Sequence, residues 1–174
     1  MKWLEHIEKS ILRESHRYNS NQTDVVRWVP LIGFYGGEKS LGLSENGKWV
    51  IGGNDSVYEF SNSSEPVFFL PCLEKDYNEF AEELTAALNE KSIPPELRAS
   101  FPFLSILKTG LLSSSSHWLP LAQRWLNDIP LTEKLAAMLH ESLKHESRIR
   151  MPERVSDYLR HWRKELAASS YPRI

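Results

Sequence analysis

The sequence predicts an α+β fold: a small antiparallel β-meander with a packed helix, followed by an all-helical C-terminal half. Three observations predict it. Between Val25 and Leu70, β-branched and aromatic residues come in short runs separated by Gly-, Asn- and Ser-rich turns. From Asp76 onward, apolar residues recur at helical spacing instead. The chain of 174 residues is 41% hydrophobic and 25% charged, a globular composition. Its six Trp and seven Phe need a core, since each aromatic side chain buries roughly 150–250 Å² when packed.

The elements follow in order. Trp3, Leu4, Ile7, Ile11 and Leu12 lie near helical spacing, so residues 2–17 read as a short helix, ended by the polar stretch 18–24. Val25–Val29 and Leu31–Phe34 form a strand that Pro30 must bend or confine to an edge, because proline donates nothing to a ladder. Gly36-Gly37 is a turn. Leu41-Gly42-Leu43, Ser44–Gly47 and Lys48–Ile51 make a hairpin whose Asn46-Gly47 supplies the positive φ of a tight turn. Gly52–Asp55 turns into a strand over 57–60, and Pro66–Leu70 reads as the fifth, buried strand. No strand of more than four residues is expected after residue 75.

Asp76 suits an N-cap, and Tyr77, Phe80, Ala81, Leu84 and Leu88 then share one helical stripe. Ile93-Pro94-Pro95 breaks the chain, and Pro95 suits the start of a short helix reaching about Lys108. Ser113–Ser116 is a connector. Amphipathic helices follow over 116–127, 132–145 and 152–168, and Trp118, Trp125 and Trp162 are expected to be largely buried among them. Residues 1–92 would form the α+β domain and 93–174 a helical region packed on it, or the two would make a single domain.

Charge is unevenly spread. Residues 1–90 carry 15 acids and 8 bases, and residues 91–174 carry 8 acids and 13 bases, so a net −7 faces a net +5. Such asymmetry steers charged partners. The charged N-terminus has no signal-peptide character, no apolar run approaches the roughly 20 residues of a membrane span, and Cys72 is alone. Cytoplasm is the expected compartment.

No residue pattern calls for catalysis, a metal or a cofactor. His140 and His145 flank Glu141 but stand five apart, about 140° around a helix, where a zinc-binding pair needs four. Cys72 follows an apolar run without a base beside it, and a buried thiol is expected. Gly36-Gly37 and Gly52-Gly53 lie between strands and lead to no helix, which excludes a phosphate loop. Arg148, Arg150, Arg154, Arg160, Arg163, Lys164 and Arg173 crowd near Tyr158 and Trp162, a pattern compatible with nucleic acid, although Glu146, Glu153, Asp157 and Glu165 interrupt it. The carboxylates of Glu79, Glu82, Glu83 and Glu90 lie opposite the apolar stripe of their helix, where they suit a basic protein partner.

From Leu41 to Leu88 the order of elements resembles the C-terminal part of the SUKH superfamily, common among bacterial immunity proteins. The hairpin strand Lys48–Ile51, then Ser56–Phe60, then Pro66–Leu70 carry the resemblance, with a helix opening Asp76-Tyr77-Asn78-Glu79-Phe80-Ala81. The resemblance implies a non-catalytic cytoplasmic protein that binds and neutralises a cognate toxin. The alternatives are a scaffold or regulatory interaction module, and nucleic-acid binding through the basic C-terminal helices.

Overall fold

The computed structural model describes residues 12–18, 24–61 and 66–169. Five strands, β1 (Arg13–Arg17), β2 (Val25–Phe34), β3 (Lys39–Ser44), β4 (Trp49–Gly52) and β5 (Ser56–Glu59), pair in sequence order and close into a barrel. The α+β class holds, but the meander is closed rather than open. Neighbours are antiparallel throughout, whereas β1 and β5 pair in parallel, His16 opposite Ser56 and Arg17 opposite Val57. Parity dictates this. In an up-and-down order, the first and fifth strands run the same way, so an odd-numbered meander closes only through a parallel seam. Closure removes the two free edges that an open five-stranded sheet would expose.

Two predicted elements change identity. Residues 13–17 are strand rather than the end of a helix; the apolar stripe that suggested a helix lies almost wholly in residues 1–11, outside the described residues. Arg13-Glu14-Ser15-His16-Arg17 shows no apolar alternation, because its inward residue is the buried Ser15, which accepts a hydrogen bond from Trp28 Nε1 at 3.0 Å. The fifth predicted strand, Pro66–Leu70, is instead part of a 3₁₀ segment over Val67–Glu74. Its buried residues Phe69, Leu70, Cys72 and Leu73 fall three apart in pairs, as the three-residue turn requires, while Val67 and Phe68 are exposed. Pro71 would also have removed a ladder hydrogen bond there. The predicted bend at Pro30 is present as a register shift between Pro30 and Ile32. Gly47 of the β3–β4 hairpin has φ 73°, as its turn demands.

The barrel interior is filled by Trp28, fully buried with Val26, Val50 and Val57. Gly42 makes room for it: a Cβ there would stand 2.6 Å from Trp28 Cε3 and 2.1 Å from the Val29 carbonyl oxygen. β3 is buried at five of its six residues, so its outward residues are covered too. A 3₁₀ segment at Pro95–Ser100 and the Phe101 that follows it join α1 (Tyr77–Glu90) to the barrel at β4. Trp49 meets Phe101 edge-on at 5.0 Å and donates through Nε1 to Ser100 Oγ, while Phe80 of α1 lies 5.3 Å from Phe101. Helical structure is therefore not confined to the C-terminal half.

The chain divides into two compact units. The first runs to Pro71 and takes in Glu79–Pro102; the second holds Cys72–Asn78 and the chain from Phe103. The second unit contains α2 (Phe103–Leu111), α3 (Trp118–Trp125), α4 (Glu133–His145) and α5 (Glu153–Ser169). The single short helix expected from Pro95 to Lys108 is split at Phe101-Pro102 into the 3₁₀ segment and α2, since the residue before a proline avoids helical ψ. No strand follows residue 75 among the described residues.

Trp125 centres this unit. It is fully buried, donates to the Lys75 carbonyl at 2.8 Å, and meets Tyr77 and Phe103 at 5.6 and 6.1 Å. Trp118 and Trp162 are only half-buried. Trp118 opens α3 with its ring against His117, and Trp162 sits where α5 leaves the core, beyond its last buried residue, Leu159. Thr132 caps α4 by accepting from Leu135 N. Arg154 reaches from α5 to the end of α3, donating to the carbonyls of Leu126 and Ile129. No helix among the described residues is long and apolar enough to cross a membrane.

Candidate functional site

α1 forms because its first face, Phe80, Ala81, Leu84, Ala87 and Leu88, is buried. A helix advances about 100° per residue, so Glu79, Glu83 and Glu90 fall within about 40° of one another on the far side, with Glu82 flanking them. Glu79, Glu82 and Glu90 are exposed and Glu83 is half-buried. Lys91 pairs with Glu90 at 2.8 Å and, by hydrogen bond first and charge second, lowers the carboxyl's pKa below its usual value. Glu79 and Glu82 have no ion pair among the described residues. The structure thus brings the four carboxylates to one helical surface, where Glu90 is paired with its neighbour Lys91. On the opposite flank, Arg98 donates to Thr85 Oγ1 at 3.1 Å and ties the Pro95–Ser100 segment to α1.

The basic residues of the C-terminal helices do not converge. Arg148 forms a bidentate pair with Glu146, whose carboxyl it holds down to about 2 through side-chain and then backbone hydrogen bonds. Arg154 is spent on α3. Arg160 pairs with Asp157 at 2.8 Å, and Arg163 donates through Nε to His140 Nδ1 at 3.2 Å. Arg173 lies outside the described residues. What remains is a groove of about 470 Å³ along α5, in which Arg160, Arg163 and Lys164 stand beside Met151, Leu159 and Ala167.

A smaller cavity, about 110 Å³, opens on the barrel unit between Tyr18, Tyr58, Phe68 and Lys39. Phe68 packs tilted against Tyr58 at 4.6 Å and edge-on to Tyr18 at 5.1 Å, yet Tyr18 is 46% and Phe68 39% exposed. Sequence reasoning missed this patch because it placed Phe68 in a buried strand. Pro71, three residues on, was the signal against that strand. A carboxylate with a buried side chain also escaped notice: Glu59, whose side chain is 7% exposed, pairs with Arg17 at 2.8 Å and lies 3.7 Å from Lys48.

His140 is half-buried with its ring 5.8 Å from Trp162, and His145 is exposed at the end of α4. No group of three or more His, Cys, Asp or Glu among the described residues is placed to hold a metal ion. Cys72 is fully buried, as expected. No protein family, no curated protein and no solved structure matches the chain.

Proposed function

We propose that this chain is a non-catalytic protein-binding protein of the immunity type, which neutralises a basic toxin domain by laying the carboxylate face of α1 against it. The observation that carries the reading is the exposure of Glu79 and Glu82, without ion pairs among the described residues, on the side of α1 opposite its buried face. An acidic surface of this kind accelerates encounter with a basic partner and selects against acidic ones. The cytoplasmic setting expected from the lone cysteine suits such a role. The scaffold reading draws support from the groove on α5, whose charge is opposite and which therefore suits a different partner.

The test is kinetic. The partner that co-purifies with the full chain from its native host is titrated with wild-type protein and with the double variant Glu79→Lys, Glu83→Lys. Association should slow as salt rises, because screening shortens the reach of the field to about 8 Å at 0.15 M. The double reversal should lower the on-rate with little change in melting temperature. Turnover of a substrate by the purified chain overturns the proposal, and so does partner binding that neither salt nor the double reversal affects.

A further inference from the structure

We infer that the groove along α5 is a second docking surface, built for an acidic amphipathic helix of a partner protein. The inference does not depend on the reading of α1, since it concerns another helix and the opposite charge. Arg160, Arg163 and Lys164 stand at i, i+3 and i+4, so their side chains form one triangle on the helix surface with neighbours about 5–6 Å apart at Cβ. All three are exposed. Lys164 has no ion pair among the described residues. Arg163 uses only its Nε on His140, which leaves both Nη groups to fork a carboxylate, the geometry for which a guanidinium is shaped.

The apolar lining selects the occupant. Met151, Leu159 and Ala167 border the same groove, which is large enough to admit a side chain. A phosphodiester backbone has nothing to place on that lining. A helix bearing carboxylates at i, i+3 and i+4 with a leucine on the flank satisfies both features. A second copy of this chain fits less well. The carboxylate face of α1 has the matching spacing at Glu79, Glu82 and Glu83, but Asn78, Ala86 and Asn89 around it offer no large apolar side chain.

The experiment titrates the full chain with a fluorescently labelled helical peptide carrying Glu at i, i+3 and i+4 and Leu on the flank of that face. The same peptide with the three Glu changed to Gln, the same peptide with Leu changed to Ser, and a labelled single-stranded RNA of mixed sequence are run beside it. Binding of the Glu peptide should weaken roughly tenfold in the triple variant Arg160→Gln, Arg163→Gln, Lys164→Gln, because three exposed ion pairs each contribute modestly. The Gln peptide should weaken by a similar factor on the unaltered protein, a comparison that no folding defect affects. The Ser peptide should lose several-fold. Equal binding of the Glu and Gln peptides overturns the inference, as does equal binding of the Leu and Ser peptides. RNA binding tighter than the peptide, or sedimentation showing a wild-type dimer that the triple variant dissociates, overturns the assigned occupant.

Discussion

Gly42→Ala is a sharp test of the closed barrel. The added methyl would stand 2.1 Å from the Val29 carbonyl oxygen and 2.6 Å from Trp28 Cε3. Carbon and oxygen approach to about 3.3 Å at closest in ordinary sheet contacts, so β2 or β3 must retreat by about 1 Å. The oxygen belongs to backbone, and the ring is clamped by its hydrogen bond to Ser15, so neither can step aside cheaply. Overpacking of this kind costs about 1–3 kcal/mol, and each ladder hydrogen bond lost adds about 1 kcal/mol. A total of roughly 3–4 kcal/mol corresponds to a fall in melting temperature on the order of 10 °C for a chain of this size. Gly33→Ala is the matched control. A Cβ there meets only Gly37 Cα at 3.9 Å, so its stability should stay within about 0.5 kcal/mol of wild type. Urea unfolding of both variants gives the energies, and the indole Nε1–H resonance of Trp28 reports on the barrel itself. If Gly42→Ala unfolds with the control and leaves the Trp28 resonance unshifted, the interior is not packed as described and the barrel assignment fails.

Two further outcomes are expected. Trp125→Ala should destabilise by about 3–5 kcal/mol, since it empties the centre of the helical unit and removes a hydrogen bond to the Lys75 carbonyl, whereas the half-buried Trp162→Ala should cost distinctly less; equal losses in a denaturant series would refute the packing assigned to α5. Glu146, held at about 2 by Arg148, has a folded value depressed below its unfolded one. Whatever the pair contributes is then complete above the ordinary glutamate range near 4.3 and is lost as pH falls through about 2. A carboxyl ¹³C titration should find that low midpoint and see it rise in Arg148→Gln; an ordinary midpoint in the wild-type protein would show that the pair does not form in solution.

What could be read from the residues was what depends on neighbours along the chain. The β3–β4 hairpin was legible because Asn46-Gly47 carries its own turn geometry, and α1, α3, α4 and α5 were legible because a 3.6-residue stripe marks its own period. The acidic face of α1 followed from the same stripe. Tertiary structure decided the rest. β1 has no apolar alternation; it is a strand because β2 and β5 each offer it a row of unpaired hydrogen-bonding groups, and its one buried side chain is a serine that answers the Trp28 indole. Val67–Leu70 has the composition of a strand, but once β1 closes the barrel against β5 no edge remains for it, and the flanking Pro66 and Pro71 favour a 3₁₀ turn. The basic cluster looked continuous in sequence because adjacency hides direction. Folding sends Arg154 to the end of α3, joins Arg148 to Glu146, and gathers Arg160, Arg163 and Lys164 beside a groove, since each helical residue points about 100° from the next.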